Sequence, residues 1–429
     1  MAKQKLSRRS FLKLTGAAAA VGVTPLKQSA LSFPYVKLQS EPIKFAIQPG
    51  FEDSMISFLE EQDFTGQTGI AVEVVSRPRT ADEIITQMSA GAQAESSPYD
   101  VIDFEDELAI TMSRAGWISG LDDLLPSDFW DDFPEGLINS TNIWARYQDE
   151  TFRIYHNFEP MYHWYRKDWF DAAGATPPTT WDELAALGEV FTDEDAGVWA
   201  VMDGLQSGAF LNVYLAYMTL QAGGNSFEVG DEYRTALQFI YDLMYTHKTL
   251  NPASLQIEYN GLNAAWMADQ VAYMRQWPYV HDVVRANTDW FAEDKLVLTL
   301  PPVGPGGAEN STYGAGWGWG IPKFTQRMDE ASELFKFLVA PDTAAALAAT
   351  GNGWYLSTRN SVLAVVGENE GLPAALKVYS DAGVLGVRPF HESFVEALSI
   401  LEESASAYLT NQITLDDSID QAQSRLERL

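Results

Sequence analysis

Between Ile43 and Phe104, strand and helix signals alternate, and this order does most to restrict the chain to an open α/β sheet. Ile43-Lys44-Phe45-Ala46-Ile47 alternates like a strand and is broken by Gln48-Pro49-Gly50. Met55 to Phe64 puts Ile56, Leu59 and Phe64 on roughly one side of a helix. Ile70 to Val75 reads as a second strand and Tyr99 to Phe104 as a third. Between them, Thr80-Ala81-Asp82-Glu83 is a capping box that opens a helix. Ligands of such sheets lie beyond the carboxyl ends of the strands, which points to Gln48–Glu52 and Asp103–Glu107.

A second α/β region follows. Thr180-Trp181-Asp182-Glu183 is another capping box, after Pro177-Pro178. Ala209 to Leu220 and Thr235 to Tyr245 read as helices, and Val271 to Met274 and Leu296 to Leu300 as strands. Pro301 to Gly307 is a loop, followed by a strand at Trp317–Ile321, a helix at Asp329–Leu338 and a helical C-terminus. The 429 residues suffice for two cores.

The net charge of -31 argues against nucleic acid or an anionic membrane surface as a partner. Residues 1–30 nevertheless carry six basic residues and no acid. Ser7-Arg8-Arg9-Ser10-Phe11-Leu12-Lys13 is a twin-arginine pattern, and a short apolar run from Leu14 to Val23 follows. Residues 1–30 are therefore expected to be an export signal and 31–41 a linker. The expected location is periplasmic or extracellular. There is no cysteine, which excludes disulfides, Cys-based metal sites and a lipid anchor through Cys.

Catalytic motifs are missing. The sequence holds no H-E-x-x-H, no G-x-S-x-G and no Walker A run. His156 and His163 are the closest histidines, without metal-ligand spacing, and no metal or cofactor is expected. Gly314-Ala315-Gly316-Trp317-Gly318-Trp319-Gly320 is glycine-rich like a phosphate loop, but it leads into Ile321-Pro322 rather than a helix. Asp103 and Glu105, two apart on an extended segment, share one face. They suit glycoside hydrolysis or the acceptance of sugar hydroxyls. The 13 Trp, 18 Tyr and 22 Phe are more telling, because aromatic faces stack on the C–H faces of sugar rings. Trp130, Trp144, Trp181 and Trp199 read as core. Phe51, Phe104, Trp277, Tyr279, Trp317, Trp319 and Trp354 stand in loops broken by Gly or Pro and are the ligand candidates.

From Ile43 onward the chain resembles the maltose-binding-protein-like solute-binding proteins of ABC importers. The resemblance is sharpest at Trp164-Tyr165-Arg166-Lys167-Asp168-Trp169-Phe170-Asp171-Ala172-Ala173-Gly174 with Pro177-Pro178-Thr179-Thr180-Trp181-Asp182-Glu183-Leu184. Tyr99-Asp100-Val101-Ile102, Gly316 to Pro322 and Arg388-Pro389 are similar to that family as well. The resemblance implies two discontinuous α/β lobes joined by hinge crossings, with a ligand cleft between them. Lobe 1 is expected at 42–155 and 303–351, and lobe 2 at 156–302 and 352–429. Crossings are expected near Tyr155–Pro160, Pro301–Tyr313 and Gly351–Tyr355.

The ligand positions implied are Gln48, Phe51 and Glu52 after the first strand, and Asp103, Phe104 and Glu105 after the third. Glu159, Trp277, Tyr279, Trp317, Trp319, Trp354 and Arg388 complete the set. Tyr155 and Trp277 depart from the residues usual in that family, so the bound sugar need not be maltose. The expected function is capture of a neutral sugar or oligosaccharide by hinge closure and delivery to ABC permease transmembrane subunits, by a monomer without catalysis. The alternatives are a secreted carbohydrate-active enzyme, or a binder of a polyol or polyamine.

Overall fold

The computed structural model describes residues 41–429 apart from Ala209, 290–294, 306–311, 351–354, Leu356, Thr358 and 367–371. The twin-arginine segment, most of the linker and Trp354 lie outside the described residues.

Twelve strands, in chain order, carry the site. They are β1 (Ile43–Ile47), β2 (Val72–Ser76), β3 (Val101–Glu105), β4 (Ile154–Tyr155), β5 (Glu159–Pro160) and β6 (Tyr162–Tyr165), then β7 (Trp199–Met202), β8 (Val271–Gln276), β9 (Val297–Thr299), β10 (Thr312–Ala315), β11 (Trp317–Gly320) and β12 (Leu385–Gly386). One sheet has the order β2-β1-β3-β11-β4, a second β9-β6-β8-β7, and a third, small sheet β12-β10-β5. The first three strands are parallel, and β11 runs antiparallel to β3, with Trp317 opposite Glu105 and Trp319 opposite Asp103.

The first sheet is buried on both faces. Phe45 and Val101 pack with Phe58, Leu334 and Phe335 on one side, while Ala46 and Ile102 pack with Ile84, Met88 and Leu108 on the other. This follows from the two-residue period of side chains along a strand. The second sheet is likewise sandwiched. Trp164 and Met274 meet Leu262, Trp266 and Leu376, and Tyr273 meets Leu215, Leu237 and Leu401. The helices Phe394–Leu409 and Leu415–Leu426 return the C-terminus to this second core through Leu401, Leu409 and Ile419.

The strand and helix expectations hold to within a few residues. Thr80 and Thr180 cap helices at Ala81–Gln93 and Trp181–Phe191 by accepting from the backbone N–H of Glu83 and Glu183. The Trp164–Leu184 run is structural: it forms β6, a helix at Lys167–Ala173 closed by left-handed Gly174, and the capped helix. At Val303 the chain is still on the second core, bonded to the backbone of Thr179 and Trp181.

The glycine-rich run is a strand pair. Gly314, Gly316, Gly318 and Gly320 recur at the period that brings one face of a strand to one neighbour. A Cβ at Gly316 would stand 2.1 Å from the Asn157 carbonyl oxygen, and one at Gly314 2.2 Å from the Phe158 ring. The absent side chains let residues 154–158 lie against β10 and β11.

Trp319 is almost fully buried, edge-on to Phe45 at 5.2 Å and stacked on His156 at 3.9 Å. Trp319→Ala is expected to destabilise the protein by ~3–5 kcal/mol in chemical denaturation, as for other large core truncations. Trp317→Ala is expected to cost under about 1 kcal/mol, because that ring is partly exposed.

Candidate functional site

Between the two cores lies a cleft of about 1050 Å³. One wall is built where the strands of the first sheet end: Phe51 after β1, Ala81, Asp82 and Ile85 after β2, and Glu105 to Leu108 at the end of β3. The other wall is built in the same way from the second sheet. Phe210, Asn212 and Val213 follow β7, and Trp277 and Tyr279 follow β8. The rule that open α/β sheets bind ligands beyond their carboxyl ends is thus met from both sides. The paired segments between the cores form the floor, with Asn157, Glu159, Tyr313, Ala315 and Trp317.

Arg77, directly after β2, holds the first wall together. It is buried, donates to Asp103 Oδ1 at 2.7 Å and Gln48 Oε1 at 2.5 Å, and stacks over Trp317 at 4.4 Å. Glu105 Oε2 lies 3.7 Å from the same guanidinium. Burial pushes the Glu105 carboxyl up to about 7, and Arg77 only partly opposes this. Glu159 is pushed further, to about 8, again by burial, although it accepts from Asn157 Nδ2 at 2.5 Å. At neutral pH Glu159 is therefore mostly protonated and Glu105 about half protonated, and in that form each can donate as well as accept.

The second wall is tied by amides. Gln276 accepts from Trp277 N–H at 2.9 Å and donates to the Tyr259 carbonyl at 3.2 Å. Phe210 meets the Tyr259 ring edge-on at 4.7 Å, and Asn263 donates to the Tyr279 hydroxyl at 3.2 Å. Glu402, from the C-terminal helix, accepts from the backbone N–H of Gly208 and Asn212 at the start of helix Leu211–Gln221. A carboxylate suits that helix end.

The cleft is acidic, and the one lining cation among the described residues is already paired. Arg388 binds Glu107 at 2.6 Å and covers the rings of Trp144 and Phe394. Among the described residues no group of His, Asp or Glu is arranged to hold a metal ion. No described helix is long and apolar enough to cross a membrane.

Of the residues singled out by sequence, Phe51, Glu105, Glu159, Trp277, Tyr279, Trp317 and Arg388 meet in this cleft. Gln48, Glu52, Asp103, Phe104 and Trp319 do not line it. Gln48 and Asp103 are tied up by Arg77. Glu52 accepts from Gly50 N–H and the Ser76 hydroxyl at the rim of β1 and β2. Phe104 and Trp319 belong to the two faces of the first core, since their strands alternate into it. Trp354 lies outside the described residues. Asp103 and Glu105 do not form a catalytic pair, because Arg77 stands between them. Sequence analysis passed over Asn157, Phe210, Asn212, Tyr259, Tyr313 and Glu402, which lack local motifs and converge only through the fold.

Comparison with known proteins agrees with this geometry. Residues 48–345 match the family of bacterial extracellular solute-binding proteins, and residues 5–25 match the twin-arginine translocation signal sequence. A Deinococcus radiodurans protein named "Probable ABC transporter-binding protein" is 25% identical over 187 residues, which is 41% of this chain and 44% of that one. The chain thus spans under half the length of that curated relative. Among solved structures, maltose-bound MalE3 of T. maritima superposes with a TM-score of 0.73 at 22% identity, covering 90% of this chain and 99% of that one. A ribitol complex of an ABC transporter solute-binding protein from Agrobacterium radiobacter gives 0.72 at 19% identity, with 91% and 99% covered. The shared architecture is the two-lobed α/β periplasmic-binding-protein fold. Its twin-arginine signal marks the chain for export, and it belongs to the family of bacterial extracellular solute-binding proteins.

Proposed function

We propose that this protein captures a neutral sugar or polyol between its two walls and presents it to its ABC permease. The observation that carries the proposal is the pair Glu105 and Glu159, whose burial shifts them toward their neutral forms in a cleft they share with aromatic residues. Neutral carboxyls bond hydroxyls in both directions, and Trp277, Tyr279 and Trp317 offer flat faces for C–H surfaces. An anionic ligand would meet several carboxylates and an Arg388 already bound to Glu107. The ligands named for the structural relatives, maltose and ribitol, have this neutral, hydroxyl-rich chemistry. Our reading places the first lobe at 42–155 with the chain after Gly316, and the second at 161–313 with the C-terminal helices.

A thermal-shift screen of residues 41–429 against neutral sugars, polyols and polyamines tests the proposal. A ligand at a hundredfold excess over its dissociation constant stabilises the folded state by ~2.7 kcal/mol. A shift with a neutral sugar or polyol is expected, and a shift with polyamines alone contradicts the proposal. With the ligand so found, Trp277→Ala is expected to weaken binding by roughly 1–3 kcal/mol in calorimetry, without change in melting temperature.

The two carboxyls also set a pH dependence. The folded protein holds these protons from the ordinary 4.5 up to about 7 and about 8, so it binds more protons than the unfolded chain. Their contribution to stability is full below 4.5 and is lost as pH rises through these values. Glu159→Gln keeps a neutral group there and is expected to melt above the parent protein at pH 9 but alongside it at pH 5. Equal differences at both pH values would contradict the assignment.

A further inference from the structure

Two segments run side by side between the cores, and each is anchored at both ends. At the first core, Asp106 accepts from the Tyr155 hydroxyl at 2.6 Å, from the backbone N–H of Gly316 at 3.1 Å, and from Arg153. Arg153 also donates to the carbonyls of Gly316 and Phe104 at 2.7 and 3.0 Å. At the second core a single side chain holds both segments. The Tyr217 hydroxyl, from helix Leu211–Gln221, donates to the Tyr313 carbonyl at 2.6 Å and accepts from Met161 N–H at 3.0 Å. Its ring stacks on Tyr313 at 4.1 Å. Tyr217 is fully buried and does not line the cleft.

The backbone N–H groups of His156 and Asn157 are still bonded to the Trp317 carbonyl of the first sheet, so between the anchors lie residues 158–160 and 314–315, which pair through Gly314 with Pro160 and Ala315 with Glu159. We propose that Tyr217 is a positioning residue that defines where these two segments bend. Together with Asp106, it confines the bending of these two segments to residues 158–160 and 314–315. Backbone bonded to one core moves with that core, so the change in φ and ψ falls on the few residues left between. Glu159, which faces the cleft, lies within this segment, so a ligand touching it acts directly on the bending residues. The inference rests on the two-lobe reading but not on the ligand's identity.

Distance measurements between spin labels on the ligand-free mature protein test it. The chain has no cysteine, so Glu73→Cys and Glu189→Cys, exposed on β2 and on helix Trp181–Phe191, give one defined label pair across the lobes. Tyr217→Phe, which keeps the ring and removes the hydroxyl, is expected to widen the distance distribution about twofold, since a longer segment can then bend. Tyr233→Phe removes another buried hydroxyl of the second core, one without a hydrogen-bond partner, and is expected to leave the distribution unchanged. A Tyr217→Phe distribution matching the parent, or equal widening in both variants, overturns the proposal. If Tyr217→Phe does not fold, Tyr155→Phe removes the matching donor at the Asp106 end. Widening there supports the proposal, and an unchanged distribution overturns it. A ligand screen that finds nothing would not alter any of these outcomes.

Discussion

The antiparallel pairing of residues 154–160 with β10 and β11 is the contact to which the rest of the cleft is referenced. It fixes Glu159 opposite Ala315, and on the neighbouring strand Glu105 opposite Trp317. The two buried carboxyls and the floor tryptophan thereby take their places from backbone register rather than from side-chain packing. That register depends on glycine. With a Cβ at Gly316 or Gly314, the Asn157 carbonyl or the Phe158 ring would have to move, and both segments would shift with it.

Buried arginines explain the electrostatics of the cleft. Arg77, Arg153 and Arg275 are each buried against an aspartate, Asp103, Asp106 and Asp203, and Arg388 is spent on Glu107. Each pair costs desolvation and is useful here for geometry, fixing a strand end or a crossing segment. What remains facing the cavity is Glu105, which shares Arg77 with Asp103, and Glu159, which accepts from Asn157. Burial then favours their neutral forms. A chain of net charge -31 thus presents hydroxyl-matching rather than purely anionic chemistry at its centre.

Local patterns in the sequence made much of the fold legible. The alternation at Ile43–Ile47, the strand read at Val271–Met274 and the threonine caps at Thr80 and Thr180 describe short-range physics, and the structure agrees with them. The site was legible only in part. Phe51, Glu105, Trp277 and Trp317 stand directly after or at the end of strands, where the α/β rule sends attention. Trp319 shares its strand and its Gly-x-Gly context with Trp317, yet it is core. Two residues of strand separate the sheet interior from its end, and composition cannot register that distance. Arg77 went unnoticed because its partners Gln48, Asp103 and Trp317 come from three other strands. Tyr217 and Glu402 lie inside amphipathic or apolar helices, where a polar atom aimed at a distant backbone leaves no local trace.

The central claim is that one ligand is held between the two walls. Oxidative footprinting of the mature protein, with and without its saturating ligand, tests this most directly. Trp277 and Trp317 line opposite parts of the cleft, whereas Trp130 and Trp199 are partly exposed elsewhere. The account predicts that ligand protects Trp277 and Trp317 together and leaves Trp130 and Trp199 unchanged. Protection of only one cleft tryptophan, or of neither, would contradict it.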